Sequence, residues 1–212
     1  MPRVALFGGS FNPIHHGHLL LADEVAELLA LDRVIFMPAA RPPHKDAADL
    51  APAADRHAMV ALAIHGHARF EVSDLEGRRA GPSYTVDTLA ALAGSGDELF
   101  LLVGSETFLD LLTWKDAERV AGLARLVVVP RSGSPFDAQS AQAQKVLREI
   151  GHTRFVDASA PPSPEGVIVA RARSLDISAS DLRRRAREGR SLAYRLPETV
   201  IAYIRARGLY RA

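Results

Sequence analysis

Short apolar runs alternate with segments of helical period along this chain, and that alternation constrains the fold more than any other feature of the sequence. Val4–Phe7 reads as a strand ended by Gly8-Gly9, and beyond Pro13 the residues Leu21, Val25, Leu28 and Leu29 recur on one helix face. The same switch repeats down the chain. Val34–Met37, Phe70–Val72, Leu99–Val103, Leu126–Val129 and Val167–Val169 read as strands. Pro52–Ile64, Thr85–Ala93, Thr107–Leu112, Asp116–Leu123 and Ala138–Ile150 read as the helices between them. Strands this uniformly apolar are covered on both faces, and each intervening helix returns the chain to the same end of the sheet. The expected fold is therefore α/β, a doubly wound and mostly parallel sheet. Two helices close the chain: Ser178–Glu188, then one opening at Pro197 with Val200 and Ile204 a turn apart and Gly208 as its cap. With 212 residues the expectation is one domain, 1–212, onto which the helical segment from about 178 to 212 packs.

Composition removes several chemistries. There is no cysteine, which excludes disulfides, thiolate metal sites and cysteine nucleophiles. No apolar run approaches 18 residues, and the opening MPRVALFGGSF reads as a strand and turn rather than a leader, so the expectation is a cytoplasmic protein with no membrane partner. The net charge of +1 conceals an imbalance: residues 171–212 carry eleven arginines against Asp176, Asp181, Glu188 and Glu198, a local excess of +7. Such a segment suits a polyanionic ligand, and it equally suits a solvated helix face.

The first strand-to-helix junction holds the densest chemistry. Gly8-Gly9-Ser10-Phe11-Asn12-Pro13-Ile14-His15-His16-Gly17-His18 lies where an open α/β sheet places its ligands. Adjacent glycines let a ligand approach the backbone, and the helix that follows aims N–H groups and a positive dipole end at a phosphate. Neither G-x-G-x-x-G nor G-x-x-x-x-G-K-[ST] is present, so dinucleotide and Walker fingerprints are both absent. His15 and His18 would flank a phosphate, and metal ligation by them is disfavoured because no carboxylate lies nearer in sequence than Asp23. Ser178 and Ser180 open a helix whose next turn presents Arg183, a second candidate anion site; the alternative is an ordinary helix cap. His44 and Lys45 follow two prolines in the long stretch Ala39–Ala51, and Glu106 follows the strand Leu99–Val103 and Gly104. Trp114, the single tryptophan, reads either as core or as a stacking platform.

The run G-G-S-F-N-P-x-H-x-G-H resembles the signature of the H-x-G-H nucleotidyltransferases. Pro42-Pro43-His44-Lys45, Ser83-Tyr84-Thr85-Val86-Asp87-Thr88-Leu89, Gly104-Ser105-Glu106 with Trp114 after it, and Ile177-Ser178-Ala179-Ser180-Asp181-Leu182-Arg183 are similar, in order and spacing, to the nicotinate-nucleotide adenylyltransferase family. The resemblance spans essentially the whole chain and implies a Rossmann-like nucleotidyltransferase domain. It further implies adenylyl transfer from ATP to nicotinate mononucleotide in NAD biosynthesis, with Mg²⁺ carried mainly by the ATP phosphates and no protein metal ligand. On the positions of this sequence it implies His15, His18, Lys45 and Arg183 as catalytic groups. Gly8, Gly9, Ser10, Phe11, Gly104, Glu106, Ser178 and Ser180 would bind ATP, while His44, Thr85, Trp114 and Lys115 would bind the mononucleotide. Nucleic acid is not an expected partner, and a homo-oligomer is left open. Three departures from the family pattern stand out: Asn12 and Glu106 each replace an aspartate, and Ser178-Ala179-Ser180 replaces Ser-Ser-Thr. The rival readings are an adenylyltransferase acting on phosphopantetheine, a nucleic-acid-binding module using the basic C-terminal segment, and an inactive nucleotide sensor. The first belongs to a shorter family without the Ser83–Leu89 and Trp114 features.

Overall fold

The computed structural model of the chain describes residues 1–43, 50–130, 136–159 and 166–211. Among these residues seven strands form the central sheet: β1 (Arg3–Gly9), β2 (Arg33–Pro38), β3 (Phe70–Val72), β4 (Glu98–Gly104), β5 (Arg125–Val129), β6 (Arg154–Asp157) and β7 (Gly166–Val169). They lie in the order β3-β2-β1-β4-β5-β7-β6, and every pairing is parallel. The chain builds outward from β1 through β2 to β3, then returns to the other side of β1 with β4. At such a reversal the connections leave toward opposite faces, opening a crevice at the carboxyl ends of β1 and β4. The doubly wound α/β architecture expected from the sequence is the one observed.

The connecting helices are α1 (His16–Leu28), α2 (Ala53–Ile64), α3 (Leu75–Arg78), α4 (Thr85–Leu92), α5 (Ser105–Leu109), α6 (Ala117–Leu123), α7 (Ala141–Glu149), α8 (Ala179–Arg187) and α9 (Glu198–Arg207). Alternation along the strands sorts their side chains into two cores. Ala5, Val34, Phe36, Phe100, Leu102, Val127 and Val129 pack with Val25 of α1, Met59 of α2, Leu182 of α8 and Ile204 of α9. Val4, Leu6, Ile35, Met37, Leu99, Leu101, Leu126 and Val128 pack with Leu89 of α4, Val120 of α6 and Leu147 of α7. Leu192, Leu196, Val200 and Ile201 share the first of these cores, so the C-terminal segment is part of the layer beneath β1 and β2. Among the described residues no helix is long and apolar enough to cross a membrane.

Some boundaries differ from the sequence expectation for local reasons. The helix expected from Ala138 begins at Ala141, because the Ser140 hydroxyl accepts the Ala143 N–H at 3.3 Å and caps it there. The helix expected over Thr107–Leu112 starts directly off β4 at Ser105 and ends at Leu109, followed by a 3₁₀ turn at Leu111–Thr113. β6 has only Phe155 and Val156 between charged ends, and it forms the sheet edge, where one side needs no apolar cover. α3 is four residues long and shows no period.

Candidate active site

The loop from Gly9 to His15 sits at the crevice, and three of its carbonyls point toward protein donors. The Gly9 carbonyl accepts the Ala39 N–H at 2.9 Å, Ser10 accepts Nη1 of Arg56 at 2.9 Å, and Asn12 accepts Nη1 of Arg183 at 2.9 Å. With these negative dipole ends tied to protein donors, less negative potential from the loop is left to oppose an anion. A Cβ on Gly8 would meet no atom within 4 Å, so the space beside it is open. The Phe11 side chain is buried, in edge contact with Phe7 and His18 at 5.5 and 5.1 Å, while its backbone takes a φ of 42°. Burial holds this residue in the left-handed region, which side chains rarely adopt. Of the residues assigned to ATP from the sequence, Phe11 thus offers a ligand its backbone and gives its ring to the core.

Both histidines are fixed by the start of α1. His15 is the N-cap, in extended backbone, and buried. The His18 ring stacks on it at 3.7 Å between centroids, and Nδ1 of His18 accepts the His15 backbone N–H at 3.2 Å. An accepting Nδ1 places the proton of the neutral ring on Nε2, which makes that atom a donor. Gly17 allows this arrangement. A Cβ there would lie 3.0 Å from Nδ1 of His15 and 3.2 Å from the Leu175 carbonyl.

Arg56 and Tyr210 are not among the site residues expected from the sequence, yet both hold this loop. Arg56 is 1% exposed and its three nitrogens reach three loop carbonyls: Nε to Ala51 at 2.9 Å, Nη1 to Ser10, and Nη2 to Ala40 at 3.2 Å. Burial pulls its pKa down, with Tyr210 and Glu76 opposing, and the guanidinium stays charged. The Tyr210 hydroxyl donates to Oδ1 of Asn12 at 2.7 Å, and the same oxygen accepts the Ala51 N–H at 3.0 Å. Arg56 carries a signal in the sequence: with Met59, Val60 and Ile64 it falls on the apolar stripe of α2, where a charge is out of place unless it is bonded.

The start of α8 holds the second group of residues expected to bind an anion. Ser178 is the N-cap of α8, but its hydroxyl bonds the Ser180 hydroxyl at 2.6 Å rather than capping the helix. Arg183, one turn on, reaches Asn12, so α8 and the loop meet; a guanidinium has five donors, and one bond leaves capacity for a phosphate. Glu106 is exposed in the first turn of α5, directly after β4.

On the other side of the crevice the Arg41 and Ser83 backbones are joined, Ser83 N–H to the Arg41 carbonyl at 3.0 Å, and the Ser83 hydroxyl accepts the Arg41 N–H at 3.1 Å. Thr85 opens α4. Lys115 lies 4.7 Å from the Tyr84 ring centroid and 3.1 Å from the Asp87 carboxylate, which draws the Trp114 segment against the start of α4. Trp114 is half-buried, packed on the core of that face. One turn deeper, Thr88 is fully buried, donates to Glu76 at 2.8 Å and accepts from Arg79 at 3.1 Å. His44 and Lys45 lie outside the described residues.

Residues 6–185 match the family model described as cytidylyltransferase-like. A Thermus thermophilus protein named "Probable nicotinate-nucleotide adenylyltransferase" is 44% identical over 99% of this chain and 100% of its own length. A Thermomicrobium roseum protein of the same name is 41% identical over 100% of this chain and 92% of its own. The chain belongs to the nicotinate-nucleotide adenylyltransferase family. The fold of this family member is also that of Plasmodium falciparum nicotinic acid mononucleotide adenylyltransferase complexed with NaAD. The two superimpose with a TM-score of 0.76 over 99% of this chain and 98% of that one, at 17% identity.

Proposed function

We propose that this chain transfers the adenylyl group of ATP to nicotinate mononucleotide, forming nicotinate adenine dinucleotide and pyrophosphate. The observation that carries this reading is the loop after β1, its carbonyls held by protein donors and His18 arranged with Nε2 as donor, beside the start of α8. A 5′-phosphate oxygen of the mononucleotide attacks the α-phosphorus of ATP. A new P–O bond forms as the bond from the α-phosphorus to the bridging oxygen breaks, and the electron pair leaves on pyrophosphate. The nucleophile is already anionic at pH 7, so no general base is required. What needs stabilising is charge on the α-phosphate oxygens and the leaving group.

In this reading His15, His18 and Arg183 face that charge, a role also assigned to Lys45 from the sequence, the loop from Gly8 to Phe11 lines the phosphates, and Ser178 and Ser180 seat the far phosphates on α8. Gly104 and Glu106 border the adenosine ribose. The groups gathered at the loop are imidazole and guanidinium donors suited to anions, so a Mg²⁺ ion accompanying ATP would be held mainly by phosphate oxygens and water, and would supply charge neutralisation there. The reaction is assigned to the cytoplasm.

Thr85, Trp114 and Lys115, with His44, are assigned to the pyridine end. A nicotinate carboxylate only accepts hydrogen bonds, whereas the carboxamide has an NH₂ that meets a donor with a donor. One unsatisfied pair in an enclosed pocket costs about 1–3 kcal/mol, so the acid is favoured over the amide by roughly fivefold to 150-fold. Pyrophosphate release from ATP, followed in parallel with nicotinate mononucleotide, nicotinamide mononucleotide and phosphopantetheine, tests both points. The fastest turnover is expected with the nicotinate acid. A best rate with phosphopantetheine refutes the substrate assignment, and kcat/KM values for the two mononucleotides within about threefold refute the pyridine pocket.

A further inference from the structure

The C-terminal segment does more than complete a core. α9 is anchored on α2 through Asp55, which is 4% exposed and accepts the Tyr203 hydroxyl at 2.7 Å and Nε of Arg207 at 3.1 Å. Gly208 then turns the chain in the left-handed conformation that favours glycine, with its φ of 61°. That turn delivers the Tyr210 hydroxyl to the Asn12 carboxamide, 198 residues away in sequence. Nearby, the Arg195 carbonyl accepts the His16 N–H at 3.0 Å, and Arg183 takes the Asn12 carbonyl. Asn12 is 2% exposed and lies between Ser10 and the two histidines, so wherever its carboxamide is held, the loop is held.

We propose that Tyr210 is a positioning residue for adenylyl transfer, its hydroxyl fixing the Asn12 side chain and through it the loop that carries Gly9, Ser10 and His15. The hydroxyl donates to the oxygen that also takes the Ala51 N–H, so it joins the loop after β1 to the start of α2. Burial raises the Tyr210 pKa, which keeps the phenol protonated and donating throughout the pH range of an ordinary assay. The proposal rests on the adenylyl-transfer reading for its kinetic consequence and on geometry alone for its effect on the loop.

Tyr210→Phe keeps the ring and removes the hydroxyl. Its kcat should fall about three- to tenfold, the yield of one hydrogen bond between neutral groups, with KM for nicotinate mononucleotide changed less than about twofold. The thermal midpoint should stay within about 3 °C of wild type. In an Asn12→Ala background the same substitution should cost less than about twofold, because a group acting through Asn12 loses its lever when Asn12 is gone. Hydrogen exchange in peptides covering residues 8–16 should quicken in Tyr210→Phe, a readout that needs no turnover and no second variant. A kcat within twofold of wild type, full additivity with Asn12→Ala, or unchanged exchange in that peptide each overturns the proposal. If the wild type forms no dinucleotide, the activity reading fails by itself, and the exchange data still decide whether Tyr210 holds the loop.

Discussion

The two sides of the crevice are built differently. The loop after β1 is held by buried or half-buried groups that come from 46, 171 and 198 residues away: Arg56, Arg183 and Tyr210. The opposite side, at the start of α4, is held nearer the surface, by the exposed Ser83–Arg41 pair, 42 residues apart in sequence, and by an ion pair between Lys115 and Asp87 whose side chains are 49% and 38% exposed. Position matters most where bonds form and break, since misplacing reacting atoms by about 1 Å can cost on the order of 100-fold in rate. A recognition surface tolerates more play. Arg56 joins the two, because Nη1 takes Ser10 on one side and Nη2 takes Ala40, next to Arg41, on the other.

That difference can be broken most severely at Arg56. Arg56→Met fills the space but leaves the Ser10, Ala40 and Ala51 carbonyls without their donor. Urea denaturation should show a loss of about 3 kcal/mol or more, as expected for removing a buried, multiply bonded charge. Arg56→Lys should recover only part of it, because an ammonium cannot hold three carbonyls in the plane of a guanidinium. A loss below about 1 kcal/mol for the methionine variant would mean the three bonds do not hold the loops.

A smaller effect is expected at Gly17. Gly17→Ala pushes a methyl against the His15 ring and the Leu175 carbonyl, both within 3.2 Å of the added carbon. Overpacking of this kind costs about 1–3 kcal/mol in unfolding free energy. The kinetic loss should fall on kcat, because the ring that must move is His15. An alanine variant with wild-type kcat would show that the His15 ring need not stay where the structure puts it.

On the α4 side the smallest effect is expected. Asp87→Asn removes an exposed ion pair, and its cost should lie between zero and about 1 kcal/mol by urea denaturation. The difference from wild type should shrink as salt is raised. A larger, salt-insensitive cost would erase the contrast between the two sides.

The same contrast sets what the sequence could show. Strand and helix periods give the sheet and most helices, because burial on both faces writes itself into near-continuous apolar runs. β6 escapes that logic at the sheet edge, with two apolar residues between Arg154 and Asp157. At the site, Gly8, Gly9, His15, His18, Ser178 and Arg183 are legible because they cluster within short motifs at strand-to-helix junctions or helix starts. Arg56, Asn12 and Tyr210 meet only through tertiary contacts, and no local spacing joins position 12 to position 210. Phe11 shows the converse: it stands inside the motif, but its ring serves the core.

The central claim is a division of labour, with the loop after β1 doing the chemistry and the α4 side choosing the mononucleotide. Steady-state kinetics of His18→Ala with nicotinate and nicotinamide mononucleotides test it most directly. A fall in kcat on the order of 10²–10³ is expected for both substrates, the cost of one donor to transition-state charge, with the preference for the acid unchanged. A variant that keeps more than about a third of wild-type kcat, or one whose acid preference collapses, contradicts it.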